Sequence, residues 1–338
     1  MSKTISDEEF YAGLLDLPKP AYPFPDFIHP DFQQQREEYY DWIDREYTLH
    51  SKEAREKHKL HNLTDIAARG CPFLNSLAEL RPLANYAANG AMMDDYLDRC
   101  SRNEMNEIGK RIMALLSGED ADEPTDNGIF HQFWILRQDA IKCGMPERLY
   151  KNFVAAIRRV FVGYAEEKVY YKANVPPPLA VYLIIREDTS GALPFCKYIA
   201  MQKDYRRLPD DILEHPHILR LHTLCAWLIG IHNDFISLPK ELHREGDTMN
   251  LIKVVQHEYK VSIREAYMMA LEMHDNYLKE FMLLHEHLPP FGEWRDMVYD
   301  YVQDLGISVA GVYAWHTNDR FRYNKGGYVD GEFVSREQ

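Results

Sequence analysis

No apolar run in this chain reaches the roughly 20 residues that a membrane-spanning helix needs. The two best candidates, 175–185 and 221–231, stop well short. The opening segment, MSKTISDEEF, is acidic and lacks the apolar centre of a signal peptide. The expectation is a cytoplasmic protein with no stable membrane anchor. Cysteine is sparse too: Cys71, Cys100, Cys143, Cys196 and Cys225 are odd in number, scattered, and never form a CxxC pair. That argues against a disulfide framework or a zinc site and for free thiols in a reducing compartment. Positive charge is in deficit, with 39 Lys and Arg against 53 Asp and Glu and a net charge of −14. This argues against nucleic acid or an anionic membrane as the main partner. Alternating strand patterns, internal repeats and low-complexity linkers are absent as well.

What remains is apolar, aromatic and helical in period. Of the 338 residues, 46% are hydrophobic and 12% aromatic, enough for a large core. Residues 1–30 concentrate proline (Pro18, Pro20, Pro23, Pro25, Pro30) and aromatics, and read as an extended strap. The pattern predicts helices over 31–47, 75–99, 128–142, 146–171, 179–187, 210–237, 262–286 and 294–316. An acidic loop over 118–128 and prolines at 176–178 punctuate them. The stretch 221–231 is apolar nearly all round, which makes its helix central. The fold class is therefore all-α: one domain over 1–338, with the strap at 1–30 and a tail at 324–338, its helices surrounding a cavity.

Two acidic stretches carry the chemistry. Asp94, Asp95 and Asp98 fall at the end of one predicted helix, Asp94 and Asp98 one turn apart and Asp95 about 100° round. Asn233, Ser237 and Glu241 recur at i, i+4 and i+8 on another. Oxygen-only ligands suit a hard cation such as Mg²⁺, which commonly shares its shell with a phosphate. Opposed across a bundle, the two faces would clamp metal ions and a diphosphate. An acidic protein binding a diphosphate also needs placed cations.

The set resembles the class I terpene synthases of the bacterial type. Asp94-Asp95-Tyr96-Leu97-Asp98 looks like that family's aspartate-rich motif, and Asn233, Ser237 and Glu241 match its second metal motif. Arg186 stands where the family carries a diphosphate-sensing arginine, and Thr189 and Ser190 match its linker and effector positions. Lys240 matches a diphosphate-binding lysine, and Arg322-Tyr323 a C-terminal Arg-Tyr pair with Trp315 shortly before it. Gly246-Asp247-Thr248-Met249-Asn250-Leu251 resembles the stretch after the second motif. The likeness spans about residues 25–325.

That resemblance implies three Mg²⁺ ions around the diphosphate of an isoprenyl substrate. Loss of diphosphate would leave an allylic cation, to be cyclised in a dry aromatic pocket to a sesquiterpene or diterpene hydrocarbon or alcohol. Arg186, Lys240, Arg322 and Tyr323 would bind the diphosphate, and Trp315 would wall the cavity, with Tyr86 and Phe73 as further aromatic candidates. Farnesyl diphosphate leads and geranylgeranyl diphosphate follows closely. Small residues one turn before the aspartates (Asn89, Gly90, Ala91) point to a roomier cavity or to an aromatic supplied from elsewhere. Pro239, inside the second motif, predicts a kink or a helix end. A monomer and a homodimer are both compatible with the sequence.

Three other readings compete. A prenyl-chain-elongating transferase shares the fold, but it normally carries aspartates where this chain has Asn233 and Ser237. A non-catalytic helical binding protein would not need the intact set of metal and phosphate residues. A His-Asp phosphohydrolase is suggested by His232, yet that residue lies about 100° from the Asn233 face and reads as a satisfied core or surface histidine.

Overall fold

The computed structural model describes residues 13–14, 16–45, 51–97, 100–126, 128–242, 247–318 and 320–323. Among them there is no strand, and no helix is long and apolar enough to cross a membrane. The α-helices run α1 (Phe32–Arg45), α2 (Lys52–Leu60), α3 (Thr64–Gly70), α4 (Leu77–Leu97), α5 (Arg102–Ser117), α6 (Gly128–Lys142) and α7 (Glu147–Ala173). They continue as α8 (Leu179–Thr189), α9 (Ala192–Tyr198), α10 (Asp210–Leu213), α11 (Pro216–Glu241), α12 (Leu251–Tyr259), α13 (Ile263–Glu286) and α14 (Arg295–Asn318). A short 3₁₀ turn, Arg320–Tyr323, follows.

Local chemistry explains several boundaries. Ser101 and Ser262 open α5 and α13 with reciprocal capping boxes to Glu104 and Glu265. Pro216 sits at the start of α11, where its missing amide costs nothing, so the predicted helix over 210–237 is in fact two. At the other end α11 runs through Pro239 to Glu241. Proline there removes one bond in the final turn, and the Leu242 amide still reaches the Leu238 carbonyl at 3.0 Å. Pro239 therefore marks the last turn of the helix.

Helix α11 is the central element, as its all-round apolar stretch predicts. It packs against α8, α9, α13 and α14, while α4 lies against α6 and α5 against α7. The main core gathers Leu221, Leu224 and Leu228 of α11 with residues of α3, α4, α6, α7, α9 and α14. A second cluster joins Ile231, Phe235 and Leu238 to α12 and α13. All five cysteines are free thiols.

The described part of the strap is pinned at several points. Phe24 is buried edge-on against Phe281, and the His29 amide donates to the Ala68 carbonyl at 2.9 Å. Asp26 pairs with Arg69, and Pro18 accepts from the Tyr267 hydroxyl. Tyr22 enters a pocket between His232 and His274.

Candidate active site

The buried half of α11 carries Asn233, and Ser237 and Glu241 follow it at one-turn intervals. The Asn233 carboxamide is engaged at both ends. Its oxygen accepts from Arg186 Nη2 at 3.0 Å, while its amino group donates to the Tyr323 oxygen at 2.9 Å and to His316 Nε2 at 3.0 Å. Ser237 is buried, and its Oγ has no hydrogen-bond partner. Glu241 Oε2 accepts from Asn250 Nδ2 at 2.8 Å, and that same amino group holds the Asp234 carbonyl at 2.9 Å. An orphaned buried hydroxyl between two anchored oxygen donors is what a bound hard cation would satisfy. The donor set fits a divalent metal.

Arg186 reaches this face from the last turns of α8. Its Nη2 contacts the Gly230 carbonyl at 3.0 Å and Asp234 Oδ1 at 2.6 Å. Glycine at 230 is required by that approach, since a Cβ there would lie 3.0 Å from both Cγ and Nε of Arg186. Burial disfavours the charge on Arg186, but Asp234, Tyr182, Glu167 and Glu241 together outweigh it, and the guanidinium is held more firmly protonated than usual. Burial pushes the Asp234 carboxyl up to about 6, against the pull of Arg186. The other carboxylate oxygen accepts from the Tyr182 hydroxyl and from the Leu251 amide at 2.7 Å. Asp234 thus ties α8, α11 and the start of α12 together.

Beyond Asn233 lies a cavity of about 200 Å³. Glu167, Arg186, Thr189, Ser190, Asn233, His316, Arg322 and Tyr323 contribute its polar lining. Its apolar lining includes Tyr86, Phe133, Phe161, Phe195 and Trp315. Trp315 is held in place by its indole N–H, which donates to the carbonyls of His61 (3.2 Å) and Asn62 (3.1 Å). Gly90 and Ala91 leave room on α4, and Phe133 of α6 and Phe161 of α7 supply aromatic surface from elsewhere. Phe73 is not part of the lining; it packs on Phe27 and under the Lys203 ammonium. A larger surface concavity, about 1180 Å³, lies among α5, α6 and α7 and contains none of the residues singled out by sequence.

At the junction of α8 and α9, Ser190 ends the helix in right-handed geometry and Gly191 turns the chain at φ 69°. Only glycine adopts that φ without strain. The Gly191 carbonyl accepts from the Tyr86 hydroxyl at 3.0 Å, which fastens the break to α4. Thr189 is buried, with its Oγ unpartnered.

Asp94 and Asp95 lie in the last turn of α4, one turn after the cavity-lining Gly90 and Ala91. Their side chains, and the whole of Asp98, lie outside the described residues, as does Gly246. Lys240 occupies the final turn of α11 beside Glu241. Arg322 is buried and lines the cavity. The sequence reading passed over Asp234, Tyr182, Asn250, Gly230 and His316. Only Asn250, inside the stretch after the second motif, carried a signal that could have found it. His232 is a fully buried, hydrogen-bonded core histidine. Burial lowers His316 to about 3 and takes His232 well below its ordinary range, so both rings are neutral.

Comparison with known proteins adds the lineage. The profile described as terpene synthase family 2, C-terminal metal binding, matches residues 86–280. The chain is 29% identical over 241 residues to a Delta(6)-protoilludene synthase of Hypholoma sublateritium, covering 70% of this chain and 72% of that one. It is 25% identical over 312 residues to sesquiterpene synthase 9 of Postia placenta, covering 91% and 88%. With 10-epi-cubebol synthase of Sorangium cellulosum the identity is 24% over 300 residues, covering 87% and 94%. Among solved structures, an ancestrally reconstructed protein, SVS_A2, superposes with a TM-score of 0.78 at 22% identity, covering 90% of each chain. Hedycaryol synthase in complex with nerolidol gives 0.72 at 17% identity, covering 89% of this chain and all of that one. These structures share the all-α fold.

Proposed function

This chain belongs to terpene synthase family 2, and on that premise we propose that it is an Mg²⁺-dependent cyclase of a linear isoprenyl diphosphate, farnesyl diphosphate first and geranylgeranyl diphosphate second. One observation carries the reading: Arg186, Asn233, Arg322 and Tyr323 converge on a cavity whose remaining walls are largely apolar and include Tyr86, Phe133, Phe161, Tyr164, Phe195 and Trp315. The name of the Postia relative, a sesquiterpene synthase, supports the fifteen-carbon chain.

Asp94, Asp95 and Asp98 on one wall and Asn233, Ser237 and Glu241 on the other would hold the metal, three ions by the resemblance. Bound there, Mg²⁺ supplies Lewis-acid stabilisation of the departing diphosphate. The protein's own cations complete the charge balance. Arg186 and Arg322 suit paired contacts to phosphate oxygens, Lys240 a point charge, and Tyr323 a hydroxyl donor.

In the resting protein Arg186 is held by Gly230, Asn233 and Asp234. Turning it toward a diphosphate draws on the end of α8, where Thr189 and Ser190 line the cavity. The Ser190 carbonyl dipole, brought near the substrate, would stabilise the positive charge that builds on the carbon losing diphosphate. Tyr86, Phe133, Phe161 and Trp315 would then exclude water and face the migrating cation.

The test is incubation of purified protein with Mg²⁺ and the ten-, fifteen- and twenty-carbon diphosphates, followed by gas chromatography–mass spectrometry. A cyclised fifteen-carbon product is expected. In a parallel reaction with isopentenyl diphosphate added, an elongated chain, seen as its alcohol after phosphatase treatment, identifies a transferase, and unprocessed substrate in both reactions overturns the reading.

A further inference from the structure

We propose that His316 is a positioning residue that keeps the carboxamide oxygen of Asn233 turned toward the metal position. The inference rests on Asn233 being a metal ligand, as proposed above. A carboxamide can rotate by half a turn and present its amino group instead, which would repel a cation. Two contacts resist this on the oxygen side and the nitrogen side respectively. Arg186 can only donate, so the atom 3.0 Å from its Nη2 is the oxygen. Turned toward a diphosphate, as proposed above, Arg186 would give up that oxygen. The restraint that persists has to lie on the nitrogen side.

That restraint is His316, and its tautomer is determined by its surroundings. Nδ1 lies 3.0 Å from the Val312 carbonyl, which can only accept, so Nδ1 carries the proton. Nε2 is then a bare acceptor, 3.0 Å from the Asn233 amino group. The second N–H of that group is taken by the Tyr323 oxygen at 2.9 Å. With both N–H bonds assigned, the carboxamide oxygen alone remains for a cation.

A chain of bonds behind His316 agrees with this assignment from its far end. The Asp275 carboxylate lies 3.0 Å from His274 Nδ1 and accepts its proton bond, leaving His274 Nε2 bare for the Tyr22 hydroxyl at 2.9 Å. The Tyr22 oxygen accepts from His232 Nδ1 at 2.8 Å, and His232 Nε2 faces His316 Nδ1 at 3.2 Å. Started from Asp275, every ring in the series is Nδ1-protonated, with the Leu228 carbonyl at 3.3 Å as a second, longer contact of the Tyr22 hydroxyl. His232 and Tyr22 therefore hold the ring of His316 from behind, and the strap supports a metal ligand on α11.

Two measurements test the role. In metal-free wild-type protein, nitrogen-15 spectra of the histidine rings should show His316 protonated at Nδ1 and bare at Nε2; the opposite tautomer overturns the proposal. Calorimetric titration with Mg²⁺ and inorganic diphosphate then compares His316→Leu with His316→Gln, which keeps an acceptor near the position of Nε2. Loss of an orienting partner weakens metal binding by roughly tenfold to a hundredfold, so the leucine variant should fall in that range and the glutamine variant stay within about threefold of wild type. Equal losses in both, or none in the leucine variant, overturn the proposal. The ring spectrum of the wild type decides even where a variant fails to fold. Should this binding pattern appear while farnesyl diphosphate releases no diphosphate, the synthase reading fails and the positioning role stands.

Discussion

The two sides of the cavity are built on different terms. On the side of α8, α11 and α14, polar atoms are anchored: Asn233 by Arg186, His316 and Tyr323, Asp234 by Arg186, Tyr182 and Leu251, and Glu241 by Asn250. On the side of α4, α6 and α7, the lining is carbon-rich, with Tyr86, Ala87, Gly90, Ala91, Phe133 and Phe161. Of the polar groups there, Asn85 and Asn89 bond to Gln132 and to the Ile129 carbonyl within the wall, while Glu167 of α7 brings a carboxylate to the lining. One side fixes directions and the other supplies shape. A group that must present a lone pair to an ion needs partners that specify its orientation, whereas a wall that must only exclude water and face a cation needs surface.

Substitutions on the two sides should therefore differ in kind, and the largest effect belongs to the ligands themselves. Asn233→Ala or Glu241→Ala should lower diphosphate release by on the order of a hundredfold or more, judged by the cost of removing one preorganised stabilising group. Near-wild-type turnover at low Mg²⁺ would remove those residues from the metal shell. Next comes the anchoring. Arg186→Met leaves Asp234 buried without its cation and should destabilise the fold by about 3–5 kcal/mol in denaturant unfolding. Adding Asp234→Asn should recover most of that loss, while turnover stays low. An unchanged midpoint in the single variant would mean that the polar side is not held together by this pair.

Smaller still is a change of approach. Gly230→Ala puts a Cβ 3.0 Å from the Arg186 stem and should cost about tenfold in turnover by displacing the guanidinium. Its thermal midpoint should fall only slightly. The smallest effect on rate is expected across the cavity. At Gly90 an added Cβ would meet only Tyr86, at 3.9 Å, so Gly90→Ala fits the space. It should leave diphosphate release within about threefold and stability within about 1 kcal/mol. The product mixture should change nonetheless. An unchanged mixture would mean that the α4 wall does not shape the product.

Much of this organisation was legible in the sequence, for a physical reason. Helical periodicity is local, so α6 was read with its observed ends, and α4, α7, α8 and α13 to within a few residues. Asn233, Ser237 and Glu241 declare themselves because one helix spaces all three. The short helices α2, α3, α9 and α12 escaped because seven to nine residues give too few repeats to separate from a turn, whereas the 16-residue α5 was passed over although Ser101 and Glu104 mark its start. Asp234 escaped for a different reason. It adjoins a candidate ligand but faces Tyr182 of α8 and the start of α12, a direction that only packing determines. His316 and Tyr22 meet the Asn233 turn across 83 and 210 residues of chain, beyond any local pattern.

That last feature has a consequence for how the protein is made. Tyr22, from the start of the chain, and Tyr323, from its far end, bear on adjacent residues of α11, His232 and Asn233. A nascent chain still on the ribosome can complete most of the bundle, yet its Asn233 gains the last of its partners only after residue 323 has emerged. Translation products cut short before that point would carry the pocket without a properly set ligand.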